Sequence, residues 1–214
     1  MRHKVSSGFI AAAGFTLVEL LIVIALLGTI ATIVIAAINP IEQANKARDS
    51  KYTADASQMV SAIERFYASN SQFPWQVTDP TTYSSADVAF DFVNANDVNV
   101  GLCGTSCTSG TQGPLITSDE LKNEFLSRDF VQNTTSDITK KLWIGKGDGS
   151  SSSVYACFTP LSKSARDTAV TNKKVVDLTA GFTTAGIPTY TTSCDAGAAA
   201  AGWKNKTCGI CIPQ

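Results

Sequence analysis

Cysteine is the residue type in this 214-residue sequence that offers the most chemistry, either as a metal ligand or as a disulfide partner. Cys208-Gly-Ile-Cys211 has the C-x2-C spacing of a zinc site. A matching second pair is absent, because Cys103 and Cys107 form a C-x3-C and the one histidine, His3, lies at the far end of the chain. An even number of cysteines, all beyond residue 100, instead indicates disulfides made in an oxidising compartment. The six are Cys103, Cys107, Cys157, Cys194, Cys208 and Cys211.

The spacing of the cysteines predicts one pairing and leaves the others open. Cys103 and Cys107 are close enough along the chain to close a small loop with each other. The remaining four allow several connectivities, and the sequence favours none of them. We expect these bonds to staple the C-terminal segment to the rest of its domain.

Acidic side chains offer a second chemistry, calcium binding through oxygen ligands. The spacing of Asp87, Asp91 and Asp97 does not match a dense oxygen-ligand loop, so we interpret them as exposed acids. The sequence therefore predicts no metal site and no cofactor. The 17 lysines and arginines against 18 aspartates and glutamates also leave no overall basic field for nucleic acid.

Two short patterns beyond residue 130 carry less weight. Lys204 and Lys206 beside Trp203 form a small basic patch of the kind that a DNA-binding tip would have, although a solvated loop is the preferred interpretation. Asn133-Thr-Thr135 and Asn205-Lys-Thr207 match glycosylation sequons, a pattern that arises often by chance.

One acid, Glu19, stands inside a long apolar run from Phe15 to Ile38. A helix of that length spans about 36 Å at ~1.5 Å per residue, enough for a hydrocarbon core of ~30 Å. A carboxylate in that environment costs a few kcal/mol, so Glu19 needs a partner or a function. The interruptions of the run are Thr16, Glu19, Gly28, Thr29 and Thr32.

The chain opens on Arg2, His3 and Lys4, a basic start that is typical of a targeting signal and predicts a cytoplasmic N-terminus. An ordinary secretory signal peptide is the alternative, with Ala11-Ala12-Ala13 as its small-residue cleavage site. The strongest apolar run follows these alanines, so cleavage there would leave the membrane segment on the mature chain.

The residues Gly14-Phe15-Thr16-Leu17-Val18-Glu19 resemble the class III signal of type IV pilins and pseudopilins. The resemblance implies that a prepilin peptidase cuts after the glycine, methylates the new N-terminal Phe15 and leaves Glu19 as the fifth residue. Gly8-Phe9 offers another such junction, but its fifth residue would be Ala13. The likeness extends over roughly a third of the chain.

The resemblance implies a structural subunit of a helical, homo-oligomeric filament. In such a subunit the apolar helix is expected to be stored in the inner, cytoplasmic membrane as a single span with its N-terminus in the cytoplasm, and later to become part of a surface pilus. The Phe15 ammonium of one copy then meets the Glu19 carboxylate of its neighbour, and the penalty for an unpaired buried charge sets the register. Further partners implied are an assembly ATPase, a membrane platform protein and minor pilins.

Two alternative functions share part of this logic. A pseudopilin of a type II secretion or competence (DNA uptake) system has the same N-terminus, whereas a non-polymerising membrane-anchored binding domain would need only the span. Enzymatic activity is not expected, because the leader carries away His3, the one histidine. The glycine-rich run at 145–153 also lacks the order of a phosphate-binding loop.

Two positions of the N-terminal segment are predicted to make the helix locally flexible. Gly28 would allow local unwinding, and Pro40 removes a backbone hydrogen bond, which predicts a kink between Ala36 and Pro40. The predicted division of the chain is a leader at 1–14, a transmembrane and filament-core helix at 15–39, an amphipathic extension at 40–70 and an extracytoplasmic globular head at 71–214.

Helical periodicity continues beyond Pro40 and ends at Asn70-Ser71 and Pro74. One face should pack on the globular domain and the other on neighbouring subunits, with Arg48, Asp49 and Lys51 solvated. The apolar stripe comprises Ile41, Ala44, Ala47, Tyr52, Ala56, Met59, Ile63, Phe66 and Tyr67. The opposite face carries Lys46, Arg48, Asp49, Lys51 and Asp55.

The remaining sequence predicts a small α+β domain of the pilin type, in which the long helix packs on an antiparallel sheet. Residues 75–116 appear as an irregular connection, and a capping box at Thr117 and Glu120 predicts a helix at 118–128. Residues 141–144 and 154–158 are predicted to form a hairpin and 174–178 a third strand. From Gly186 onward, little regular structure is expected in the disulfide-stapled, loop-rich C-terminal region.

Overall fold

Two long helices follow one another because an apolar run and an amphipathic run are separated by Asn39-Pro40. The computed structural model describes residues 14–37, 39–85, 88–107, 111–149, 152–194 and 200–213. The chain divides into a first unit, Met1–Pro40, and a second unit, Ile41–Gln214, which are considered separately. Helix α1 (Leu17–Ala37) belongs to the first unit, and α2 (Pro40–Asn70) is the long helix of the second.

Helix α2 packs one face into the core of the second unit, as its periodicity predicts. The buried apolar side chains recur at intervals of three and four residues from Tyr52 to Phe66. The predicted stripe is wrong at its ends, since Ala44 and Ala47 are exposed and Ile41 is 72% exposed. The helix stops where Ser71 adopts a left-handed conformation and donates its N–H to the Tyr67 carbonyl.

A five-stranded antiparallel sheet faces α2, which confirms the predicted α+β class. Its strand order is β1-β2-β3-β5-β4. The predicted hairpin is present, with Ile144 opposite Ala156, although its first strand lies two residues later than predicted. The strands are β1 (Phe90–Asn94), β2 (Trp143–Lys146), β3 (Val154–Phe158), β4 (Val176–Asp177) and β5 (Cys208–Ile212).

The C-terminal segment has more regular structure than the sequence predicts. Strand β5 lies between β3 and β4, and helix α7 (Ala200–Asn205) precedes it. The expectation of little regular structure from Gly186 onward is therefore wrong. The five residues of β5 carry a glycine and two cysteines, so pairing with strands distant in sequence, rather than intrinsic preference, makes them a strand.

The predicted helix at 118–128 is also wrong. Helix α4 (Pro114–Thr117) begins earlier, because Pro114 occupies the first helical position, where a missing N–H costs nothing. Asp119 then adopts a left-handed conformation and ends the turn. Glu120 accepts a hydrogen bond from Arg65 of α2 at 2.8 Å.

Several short elements lie between α2 and the strands or between successive strands. The region from 75 to 116, predicted to be irregular, contains the edge strand β1. Its Phe90 and Phe92 are both buried but belong to different apolar clusters, and the strand register shifts between Phe90 and Val93. The short helices are α3 (Pro74–Thr78), α5 (Asp129–Gln132), α6 (Lys163–Thr171) and 3-10 turns at Val98–Val100, Asn123–Ser127 and Ile138–Lys140.

Candidate assembly site

Helix α1 presents its apolar surface outward along its length. Every described side chain from residue 14 to residue 35 is exposed, including Leu17 at 79% and Ile33 at 69%. The stretch Leu17–Ile35 is long and apolar enough to cross a membrane by length and composition. Among the described residues it is the one helix of that kind, and within its own unit nothing covers it.

Glu19 closes the start of α1 by a reciprocal exchange of hydrogen bonds with Thr16. The Glu19 N–H donates to Thr16 Oγ1 at 3.2 Å, and the Thr16 N–H and hydroxyl donate to Glu19 Oε2 at 2.9 and 2.7 Å. This arrangement is a capping box, which satisfies N–H groups that the helix leaves unpaired. The carboxylate that the sequence left without a partner therefore has a local one within its own chain.

The sequence contains the signal for this cap, although sequence reasoning did not use it. Thr16-Leu17-Val18-Glu19 is the T-x-x-E pattern that precedes an apolar helix. The local role of Glu19 at the helix terminus is therefore independent of the cost of a charge in lipid.

The junction between Gly14 and Phe15 lies just before α1 and is open on all sides. A Cβ added at Gly14 would meet no atom within 4 Å, and Phe15 is 75% exposed. An accessible junction is what a processing enzyme needs in order to reach the peptide bond. The leader residues Arg2, His3 and Lys4 lie outside the described residues.

The two positions predicted to make the helix locally flexible differ in their surroundings. Gly28 lies within a continuous α1, where an added Cβ would meet no atom within 4 Å, so the helix itself supplies no close contact that requires glycine. Pro40 is the first residue of α2, the position that proline favours. Residue 38 lies outside the described residues, so the kink between Ala36 and Pro40 stays a prediction.

The six cysteines form three disulfides, all in the second unit. Cys103 is bonded to Cys107, and Cys157 to Cys211, its direct neighbour across β3 and β5. Cys194 is bonded to Cys208, which overturns the alternative zinc site at Cys208 and Cys211. Two of the bonds therefore hold β5, one to the neighbouring strand β3 and the other to the segment that contains Cys194.

Asp49 and Glu42, two helical turns apart on α2, hold the start of α6. Asp49 accepts the N–H groups of Leu161 and Ser162 at 3.0 and 2.8 Å. Glu42 accepts those of Lys163 and Ser164 at 3.1 and 3.3 Å, and the Lys163 N–H is the main reason that its pKa is lowered. We name these two carboxylates and the four N–H groups the α6 clamp.

The clamp corrects the expectation that the charged face of α2 is solvated. Asp49 is 5% exposed and pairs with Arg48 at 2.9 Å, while Lys51 is exposed as expected. Asp55, placed on the same polar face, is 2% exposed and contacts Arg128 at 3.4 Å. Burial raises the pKa of Asp55, and Arg128 opposes that rise.

The patch around Trp203 is not a free basic surface. Trp203 is fully buried, Lys204 pairs with Asp137 at 3.0 Å, and Lys206 donates to the Ser193 carbonyl. The hydrogen bond from Lys204 lowers the pKa of Asp137 to about 2. The preferred interpretation as a solvated loop is therefore wrong at Trp203, and the aromatic side chain that a DNA-binding tip would use is not exposed.

The acids and sequons have local roles where they are described. Asp97 caps the Val98–Val100 turn by accepting the Asn99 N–H at 2.9 Å. Asn133 accepts two hydrogen bonds from Thr135 and forms a turn. Asp87, the first acid of the rejected calcium spacing, lies outside the described residues.

The chain thus combines an exposed apolar helix that carries one capped carboxylate with a disulfide-bonded α+β unit. A family model described as the prokaryotic N-terminal methylation motif matches residues 11–35. A fimbrial protein of Neisseria meningitidis serogroup A / serotype 4A (strain DSM 15465 / Z2491) is 28% identical over 162 residues, which cover 76% of this chain and 81% of the relative. No solved structure gives a significant match.

The matched motif contains Gly14, Phe15 and Glu19, and the similarity to the fimbrial protein extends well beyond it into the second unit. Both findings support a type IV pilin family, in the broad sense that includes pseudopilins.

Proposed function

We propose that this chain is a structural subunit of a type IV pilus-like filament. Its leader, residues 1–14, is removed after Gly14, and its N-terminal helix is stored in the inner membrane before the copies polymerise. Residues 15–39 then form the filament core, 40–70 extend it and 71–214 form the globular head. The similarity to a fimbrial protein favours a pilus over a secretion pseudopilus.

The single observation that carries this proposal is the complete exposure of the apolar α1 within its own unit. A surface of this kind is stable only against lipid or against other helices. A permanent membrane anchor would satisfy the first need without Glu19, the one charge of the helix. In a filament, the carboxylate can exchange its Thr16 bonds for the ammonium of a neighbouring Phe15.

Replacing the carboxylate tests the proposal. Glu19→Ala should leave the chain in the membrane fraction and abolish surface filaments in electron micrographs, because the register-setting charge pair is lost. Glu64→Ala, which removes an exposed acid from α2, is the matched control and should assemble normally.

Mass spectrometry of the N-terminus separates processing from assembly. A mature chain that begins at methylated Phe15 is expected for both variants and for the parent. Filament yield that is unchanged in Glu19→Ala would contradict the proposed role of the carboxylate.

A further inference from the structure

A surface cleft of about 420 Å³ separates α2 from α6 beyond the α6 clamp. Two lysines line it, Lys46 from α2 and Lys174 from the segment after α6. Ser50, Ser164 and Asn172 add hydroxyl and amide groups whose side chains make no hydrogen bond to another described residue. The cleft thus gathers donors of the kind that surround a bound anion.

The charge of Lys46 is partly offset by Glu42, whose pKa it helps to lower. Neither Lys46 nor Lys174 forms an ion pair with any described residue. Asp49, the one acid of the lining, pairs with Arg48 and accepts two backbone N–H groups. Glu42, one turn before Lys46, is engaged by the start of α6.

Chain connectivity limits how far this cleft can lie from the candidate membrane span. Lys46 lies eleven positions after Ile35, the last residue of the candidate span, so ten residues stand between them. Even fully extended, they reach no further than roughly 40 Å. A tether of this length gives the lysines a high effective concentration at the lipid headgroups, and an anionic headgroup attracts basic groups over about 10 Å.

We propose that the cleft between α2 and α6 binds the phosphate of an anionic phospholipid headgroup while the subunit is stored in the membrane. Lys46 and Lys174 donate to the phosphate oxygens, and Ser50 and Asn172 complete the set of donors. The proposal rests on the membrane storage argued under the proposed function. It gives the stored subunit a second contact with the bilayer, which is released when the subunit leaves for the filament.

Amine reactivity measures this contact directly. The full-length chain is reconstituted in phosphatidylcholine vesicles with or without about 30% phosphatidylglycerol. A water-soluble acylating reagent then labels exposed amines, and peptide mapping gives the rate at each lysine. Phosphatidylglycerol should slow the labelling of Lys46 and Lys174 and leave Lys122, on another surface of the second unit, unchanged.

A paired variant tests whether the two lysines cause the contact. Backbone hydrogen exchange of residues 163–174 should slow in the presence of phosphatidylglycerol, and Lys46→Gln with Lys174→Gln should abolish that slowing. Each lysine that is removed should lower the ratio of headgroup-bound to unbound clefts about fivefold. Lys122→Gln should retain the full effect, and high salt should remove it.

Three outcomes would overturn the proposal. Equal labelling with and without phosphatidylglycerol means that no anionic lipid is bound. Protection by inorganic phosphate in phosphatidylcholine vesicles means that the cleft takes a free anion rather than a headgroup. Protection that follows filament formation instead of lipid composition identifies a neighbouring copy as the occupant. Vesicle flotation is read separately, since failure to insert would contradict the membrane storage itself.

Discussion

The two units of the chain, Met1–Pro40 and Ile41–Gln214, use apolar residues in opposite ways. Ile33 in α1 is 69% exposed, whereas Ile63 in α2 is fully buried. The polar groups differ similarly, since Glu19 is capped by its own helix while Asp49 joins α2 to a segment more than a hundred residues away. The second unit stabilises itself, and the first unit requires surroundings that lie outside its own fold.

Because the second unit stabilises itself, loss of the disulfide between β3 and β5 should give the largest decrease in its free energy of unfolding. Replacing Cys157 and Cys211 by alanine opens a loop with a sequence separation of 54, for which chain entropy predicts a loss of about 4 kcal/mol in the free energy of unfolding. Replacing Cys103 and Cys107, separated by 4, should cost about 2 kcal/mol. Denaturant titration of both variants in micelles measures the difference, and equal losses would contradict the entropic account.

The two isoleucines provide the most direct test of the comparison. Ile63→Ala leaves a cavity in the core and should lower the free energy of unfolding of the second unit by about 3 kcal/mol. Ile33→Ala makes the same chemical change on an exposed surface, so it should leave that free energy unchanged. If α1 packs against other copies, Ile33→Ala should lower the filament yield more than Ile63→Ala does. A stability loss in Ile33→Ala would mean that the units are not independent.

The α6 clamp predicts a smaller effect confined to the second unit. Asp49→Asn removes the charge and turns one acceptor oxygen into a donor facing the N–H groups of Leu161 and Ser162, so we expect a loss of about 2 kcal/mol. Asp167→Asn, on the exposed face of α6, is the matched control and should stay within about 0.5 kcal/mol. Faster hydrogen exchange at the start of α6, before any change in the sheet, would locate the loss.

Local patterns predict the elements of this chain that form by themselves. The apolar run, the amphipathic periodicity of α2 and the hairpin follow from residue order within short windows. Strand β5 does not, because Cys208–Ile212 becomes a strand through neighbours that lie far away in the sequence. Asp49 shows the same limit, since an acid on the polar face of α2 becomes buried when α6 brings its N–H groups to it.

The candidate assembly site was predicted from its motif rather than from its physics. Gly14, Phe15 and Glu19 follow from a resemblance, and their proposed roles depend on a peptidase and on other copies. The capping box between Thr16 and Glu19 was present in the sequence as T-x-x-E and needed no such knowledge. A residue role that depends on another molecule is recognised through resemblance to a family. A role within the chain, such as this helix cap, can be predicted from the sequence by physical reasoning alone.

The smallest predicted effect is a pH dependence carried by Asp137. The Lys204 ammonium lowers the pKa of this carboxyl to about 2, below the ordinary value of about 4. A group whose pKa is lower in the folded state stabilises it at neutral pH, and that stabilisation is lost as the pH falls from about 4 to about 2. The side chain of Asp137 is 29% exposed, so the contribution should be on the order of 1 kcal/mol or less.

Asp137→Asn should therefore remove part of the acid sensitivity of the second unit and slightly lower its stability at neutral pH. Asp148→Asn changes an exposed acid in the turn between β2 and β3 and provides the control. Thermal unfolding of the two variants and the parent at several pH values measures the difference. Because α1 has no counterpart to this ion pair, its membrane association should not follow the same pH dependence. If membrane association and the stability of the second unit changed with the same pH midpoint, the two units would be coupled.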